Sequence, residues 1–209
     1  MARQSLGERE DLRALPFLTI DPADARDHDD AVWAAPDDEK PGHFRAIVAI
    51  ADVSFYVRPG SALDREARKR GNSVYFPDRV VPMLPEHLSA DVCSLRAGQD
   101  RAAMACHMVI DAKGQMVSWR FSRAVIKVAA NIPYEDAQAA IDGVKPHDLT
   151  EVALRALWAC WALLFKAREK REPLDLDLPE RRVELDEKGR IQSVAPRERL
   201  DAHKLIEDY

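Results

Sequence analysis

Residues 15–34 read LPFLTIDPADARDHDDAVWA, and this stretch decides the predicted fold. A short apolar run at residues 17–20 is stopped by Pro22, and a second apolar run follows at residues 31–34. Both runs have the length and composition of strands. Aspartates lie at the strand ends and in the connecting loop: Asp21, Asp27, Asp29 and Asp30. We therefore expect two neighbouring strands whose acidic ends meet, in a position where functional sites are commonly built.

The spacing of the four aspartates predicts a metal site. Carboxylates this close repel each other unless positive charge lies among them, and oxygen-only ligands suit hard cations such as Mg²⁺ or Mn²⁺. On an extended chain Asp27 and Asp29 point the same way, whereas Asp30 needs a bend and Asp21 approaches from the neighbouring strand. One or two metal ions held there can activate water for phosphodiester cleavage. The alternative is that these acids only solvate the loop or cap a following element.

Composition indicates one soluble globular domain. The chain has 209 residues and a mass of 23.5 kDa, with 46% hydrophobic and 32% charged residues. No apolar run approaches the ~20 residues of a membrane span, so we expect no membrane association. Three widely spaced cysteines form neither a disulfide framework nor a zinc site, which favours a reducing cytoplasm.

Charge alone argues mildly against nucleic-acid binding, because the net charge is −5 and the pI is about 5.7. Basic residues nevertheless cluster locally, at Arg65, Arg68, Lys69, Arg70 and Arg79. These side chains either form a solvated face or contact phosphates. The sequence leaves both alternatives open.

The remaining patterns predict an α+β fold, with a mixed or antiparallel sheet packed against helices. We expect a buried strand at residues 46–53, in which Asp52 is structural, and hairpins at 104–121 and 183–194. Helices are predicted from the cap Ser61 to Arg70, over 134–143, from the cap Thr150 to Lys170, and from Leu200 onward. Residues 75–88 contain three prolines and no clear period, which predicts a defined loop.

The acidic motif resembles the opening of the catalytic (RNB) domain of the ribonuclease II and ribonuclease R family. Its pattern is T-I-D-x-x-x-A-x-D-x-D-D. Further blocks follow in the family's order at residues 49–95, 174–180 (LDLDLPE) and 199–208 (RLDAHKLIED). The ribonuclease R branch is the closer match. The resemblance implies a lead-in at residues 1–11 and a partial RNB domain over residues 12–209.

The family resemblance implies a function and its residues. Members degrade single-stranded RNA from its 3′ end, processively and with Mg²⁺, and release nucleoside 5′-monophosphates. The catalytic and metal-binding positions fall on the four aspartates, and Asp29 matches the position most specifically required for chemistry. Tyr75 matches the tyrosine that stacks on the terminal nucleotide, while Tyr134 and Glu207 match positions that sense the ribose 2′-OH. Without the resemblance, Tyr75 reads as core and Tyr134 as a helix-start staple.

Departures from the family pattern bear on activity. Leu176 replaces a stacking phenylalanine of ribonuclease II, and the S-P-I-R-R-Y segment with its arginine is missing because the sequence stops at Tyr209. The final helix has no capping residue after it, so we expect the chain to end within the domain. His28 is predicted to pack or face solvent. The leading hypothesis is a 3′-to-5′ exoribonuclease fragment that is weak or inactive alone. The alternatives are a non-catalytic RNA- or metal-binding fragment and an incomplete product that associates through an exposed apolar face.

Overall fold

The computed structural model describes residues 7–174, 181–196 and 198–209. Its strands are β1 (Glu10–Asp11), β2 (Phe17–Asp21), β3 (Asp30–Pro36), β4 (Phe44–Ala51), β5 (Val74–Tyr75), β6 (Val80–Val81), β7 (Asp100–Ile110), β8 (Met116–Pro133), β9 (Arg181–Leu185) and β10 (Ile191–Pro196). Its helices are α1 (Val53–Tyr56), α2 (Ala62–Arg70), α3 (Tyr134–Ile141), α4 (Arg155–Glu169) and α5 (Asp201–Asp208), with π-helical turns at Leu88–Val92 and Thr150–Leu154. The predicted α+β class is confirmed.

The main sheet is mixed and closes on itself. Its strand order is β1-β8-β2-β3-β4-β7, and β7 also pairs with β8. Strand β8 is long enough to serve two partners, because residues 116–127 run antiparallel to β7 and residues 128–133 run parallel to β2. The short β1 lies parallel to β8. Closure leaves few unpaired strand edges.

The side-chain alternation of the strands builds two apolar layers. One face of the sheet buries Phe17 and Ile47 with several alanines, whose small side chains suit the narrow interior of the closed sheet. The opposite face carries Leu18 and Ile20, which pack against the helices around Leu157. Consecutive residues of β2 are all buried because alternate side chains point into these two different layers.

Most predicted elements are confirmed, including helix α2. The hydroxyl of Ser61 accepts a hydrogen bond from the Asp64 N–H at 3.1 Å, and Gly71 ends the helix with φ of 79°. The Asp64 carboxylate in turn accepts a hydrogen bond from the Gly60 N–H at 2.8 Å. The 104–121 hairpin is longer than predicted, since β8 continues along β2 to Pro133.

Two sequence predictions are corrected by the structure. Thr150 is buried and its hydroxyl donates to the His147 carbonyl at 2.7 Å, so it begins a π-helical turn instead of capping a long helix. The region of residues 75–88 is not wholly irregular, because β5 and β6 form a short antiparallel hairpin at its start. Within the described ranges, no helix combines the length and apolar character that crossing a bilayer requires.

Candidate active site

The predicted acidic residues lie at one edge of the closed sheet. Asp21 is the last residue of β2 and Asp30 is the first residue of β3, while Asp27 and Asp29 lie in the loop between them. Because β2 and β3 are antiparallel neighbours, this loop spans adjacent strand ends. The sequence correctly predicted this placement.

Backbone and hydroxyl contacts hold the acidic loop against the sheet. The Ala51 N–H donates to the Asp29 carbonyl at 2.8 Å, and the Leu95 N–H donates to the His28 carbonyl at 2.7 Å. The buried Ser94 hydroxyl donates to the Arg26 carbonyl at 2.9 Å. These contacts tie the loop to β4 and to the segment before β7, so its position is fixed from two sides.

The acidic loop concentrates negative charge. Burial, together with repulsion from Asp21 and Asp29, raises the pKa of Asp30 to about 6. Desolvation by the surrounding protein atoms also raises the pKa of Asp29, and repulsion from Asp27 and Asp21 acts in the same direction. The four carboxylates thus interact electrostatically, and the array favours protonation or a bound cation.

Two of the carboxylates are engaged by neighbouring side chains. One oxygen of Asp21 lies 2.7 Å from His28 Nδ1, and both side chains are largely buried. One oxygen of Asp27 accepts a 2.7 Å hydrogen bond from the Tyr75 hydroxyl. Each interaction gives a carboxylate a partner in a place where mutual repulsion is otherwise strong.

The structure does not bring the acids together as a formed metal centre. Among the described residues, no three His, Cys, Asp or Glu side chains are grouped closely enough to hold one metal ion. Asp21 contacts His28, and Asp27 accepts a hydrogen bond from Tyr75. The oxygen-only donor set still fits a hard cation chemically. The four-aspartate metal site therefore stays a prediction.

His28 has a role that its sequence position did not suggest. Its ring meets Asp21, and the Thr19 hydroxyl lies 3.4 Å from the same nitrogen. The side-chain amide of Asn131 in turn donates to Thr19 at 2.8 Å and to the Leu95 carbonyl at 3.0 Å. A polar chain thus runs from β8 to the acidic edge. In the sequence, the one indication of this polar chain is the side-chain alternation of β2, which places Thr19 and Asp21 on the same face.

Tyr75 and Tyr134 approach the acidic edge from different elements. Tyr75 is 63% exposed and reaches Asp27 from the β5–β6 hairpin. Tyr134 opens α3 directly after Pro133, which is in register with Asp21 across the β2–β8 pairing. The Tyr134 ring stacks on His203, with ring centroids 4.1 Å apart and planes 14° apart. Tyr134 therefore packs against α5 and also lies near the acidic edge.

Glu207 lies on α5, which packs beside α3. The Ala202 N–H of α5 donates to the Gln138 side chain of α3 at 3.0 Å. The exposed Glu207 carboxylate is paired with Arg199. Contact of Glu207 or Tyr134 with a ribose hydroxyl stays a prediction, and Leu176 lies outside the described residues.

Asp52 is structural, and its partners are charged. Its fully buried carboxylate lies 2.7 Å from Arg9 and 3.1 Å from Arg123, and it accepts a 2.6 Å hydrogen bond from Ser54. Although burial opposes the effect, the Ser54 hydrogen bond and Arg9 lower the pKa of Asp52. The sequence prediction of backbone hydrogen bonding for this side chain missed Arg9, because that partner lies 43 residues away.

The family model described as RNB domain matches residues 9–209, so the chain belongs to the RNB domain family. Its sequence is 44% identical to Ribonuclease R of Vibrio parahaemolyticus serotype O3:K6 and 43% identical to Ribonuclease R of Escherichia coli (strain K12), each over 96% of the chain. These alignments cover 24% and 25% of the two relatives. The chain thus spans about a quarter of the length of the curated relatives it matches.

The fold is shared with a solved ribonuclease R. The Mycoplasma genitalium RNase R in complex with ribose methylated single-stranded RNA superposes with a TM-score of 0.91 at 30% identity. The match covers 97% of this chain and 32% of that one. The resemblance found in the sequence motifs is therefore confirmed, both for the family and for its ribonuclease R branch.

Proposed function

We propose that this chain is part of a 3′-to-5′ exoribonuclease that hydrolyses single-stranded RNA from its 3′ end to nucleoside 5′-monophosphates. The observation that supports this most directly is the electrostatically coupled aspartate array at the sheet edge of an RNB domain. The aromatic ring of Tyr75 beside this array supports binding of a terminal nucleotide.

Each residue has a proposed part in the reaction. Asp21, Asp27, Asp29 and Asp30 would hold Mg²⁺, for which Mn²⁺ can substitute. When bound, the cation would neutralise charge and activate water for attack on the phosphodiester. Tyr75 would stack on the terminal base, and Asp29 would orient the attacking water. Tyr134 and Glu207 would contact the ribose 2′-OH. The acceleration would come mainly from positioning and electrostatics.

A trimming assay tests the proposed reaction. Single-stranded RNA labelled at its 5′ end should shorten progressively in Mg²⁺, with release of nucleoside 5′-monophosphates. Asp29→Asn should abolish this release while RNA binding is retained. Asp24→Asn is the matched control, because Asp24 is an exposed acid of the same loop outside the predicted set. Equal trimming by the wild type and Asp29→Asn would contradict the proposal.

A non-catalytic RNA-binding role is the second candidate. The exposed ring of Tyr75 favours it, because base stacking requires no metal ion. If this second candidate holds, the wild type and Asp29→Asn should both bind the RNA in the same assay and neither should shorten it. Cytoplasmic localisation stays a prediction from the unpaired cysteines, Cys93, Cys106 and Cys160.

A further inference from the structure

The β5–β6 hairpin presents two different faces. Tyr75 is in register with Val80, and the Phe76 N–H donates to the Arg79 carbonyl at 2.8 Å across a turn at residues 77–78. Because side chains alternate along strands, Tyr75 lies on the face directed toward Asp27. Phe76 and Arg79 then share the opposite face.

The opposite face combines an open aromatic ring with a cation. Phe76 is 45% exposed, and the Arg79 guanidinium carbon lies 4.7 Å from the centre of its ring. Arg79 also pairs with the neighbouring Asp78 at 2.9 Å. Two further apolar side chains of the hairpin, Val74 and Val81, are more than 40% exposed. The hairpin therefore exposes several apolar side chains beside one cation.

The exposed ring does not contribute to folding of the main core. Phe76 belongs to neither apolar layer of the sheet. The hairpin is instead held by polar contacts near its base, where the Ser73 hydroxyl accepts from the Met83 N–H at 2.9 Å and Arg70 donates to the Pro82 carbonyl at 3.0 Å. The Arg70 contact also places the basic last turn of α2 beside the hairpin.

We infer that Phe76 and Arg79 form a second nucleobase platform for single-stranded RNA, on the side of the hairpin opposite Tyr75. A base would stack on the Phe76 ring, and Arg79 would contact the backbone phosphate beside it. Lys69 and Arg70 at the end of α2 would supply positive charge to the phosphates of the neighbouring RNA nucleotides. Single-stranded RNA is favoured as the occupant because the platform lies on the same hairpin as Tyr75 and its Arg79 guanidinium complements phosphate charge. This inference rests on the proposed function.

Equilibrium binding of RNA tests the platform without requiring turnover. The probe is a fluorescent single-stranded RNA of about eight nucleotides, within the span of typical single-strand sites. Anisotropy is measured in EDTA, with every variant built on Asp29→Asn. Phe76→Ala should weaken affinity about tenfold, whereas Phe76→Tyr should retain it, because stacking needs only the ring. Arg79→Ala should weaken affinity more than Arg79→Lys, since Lys keeps the charge but loses the planar group.

A distant aromatic residue provides the matched control. Phe121 is 64% exposed on β8, in a different sheet from the hairpin, and Phe121→Ala should leave affinity unchanged. Equal binding by Phe76→Ala and the parent would overturn the platform, as would equal losses in Phe76→Ala and Phe121→Ala. Self-association of the parent that Phe76→Ala abolishes would overturn it in favour of a second copy as occupant. If the parent binds no RNA at all, the proposed function fails together with the platform. If the parent binds RNA and Phe76→Ala binds it equally well, only the platform fails.

Discussion

The hydroxyl of Tyr75 donates a 2.7 Å hydrogen bond to Asp27, and this contact joins an exposed hairpin to the acidic edge of the sheet. The hydrogen bond to the carboxylate raises the pKa of Tyr75, so the hydroxyl stays protonated as a donor at neutral pH. The ring and the hydroxyl can therefore be separated experimentally.

Substitution of Tyr75 should affect RNA affinity through the ring. Tyr75→Phe keeps the stacking surface and should preserve affinity, whereas Tyr75→Ala should weaken it by about 1–3 kcal/mol. Folding stability should change by less than about 1 kcal/mol in both, because the contact is exposed. Anisotropy and urea unfolding measure the two quantities. A loss of affinity in Tyr75→Phe as large as in Tyr75→Ala would assign the role to the hydroxyl.

His28→Phe should destabilise the fold by about 1–3 kcal/mol, because it leaves the largely buried Asp21 carboxylate without its partner. His28→Asn should recover part of the loss, since its amide can still donate to Asp21. Urea unfolding compares both with His87→Ala, which alters an exposed histidine. Equal stability of His28→Phe and wild type would show that the Asp21–His28 contact contributes nothing to folding.

Arg9→Met should destabilise the fold by about 3 kcal/mol. It leaves the buried Asp52 carboxylate short of its closest cation. The double variant with Asp52→Asn should recover part of the stability, because the buried carboxylate charge, which Arg123 alone then faces in Arg9→Met, is removed. Arg13→Met is the control, since Arg13 pairs with Asp11 and Asp100 in solvent and should cost under about 1 kcal/mol. Similar losses for Arg9→Met and Arg13→Met would refute the argument.

The Glu10–Arg120 pair should make stability depend on acidic pH. The Arg120 hydrogen bonds are the main reason that the pKa of Glu10 falls to about 2, although burial opposes them. A lowered folded-state pKa adds stability that is complete above about pH 5 and is lost as pH falls toward 2. Glu10→Gln should therefore cost about 1–2 kcal/mol at pH 7, after allowance for its partial exposure.

Urea unfolding of wild type and Glu10→Gln at several pH values measures this dependence. The gap between the two proteins should narrow between about pH 5 and pH 2. Glu8→Gln serves as the control, because Glu8 is exposed and should give a small, pH-independent difference. A gap that widens toward low pH would reverse the inferred sign.

The sequence was sufficient to predict features that depend on local pattern. The short apolar runs around Phe17 and Val32 predicted two strands, and their acidic ends followed from the order of residues. The cap at Ser61 and the stop at Gly71 were equally local. Turn and capping chemistry acts over a few residues, which is why these predictions were correct.

Features that depend on distant pairing could not be predicted. The switch of β8 from β7 to β2 brings Val128 beside Phe17, and no local pattern encodes that choice. The Tyr134–His203 stack joins residues 69 positions apart, and it exists only once α3 and α5 have packed. The position of each aspartate side chain likewise depends on partners such as His28 and Tyr75, which the linear spacing does not specify.

The dual pairing of β8 has a consequence for how this polypeptide is made. The parallel neighbour of β2 is formed by residues of β8 that lie more than a hundred positions downstream in the sequence. During synthesis the sheet cannot close beside the acidic loop until β8 has left the ribosome, because β8 is the strand that pairs with both β2 and β7. Completion of the acidic edge therefore requires translation of the stretch ending at Pro133.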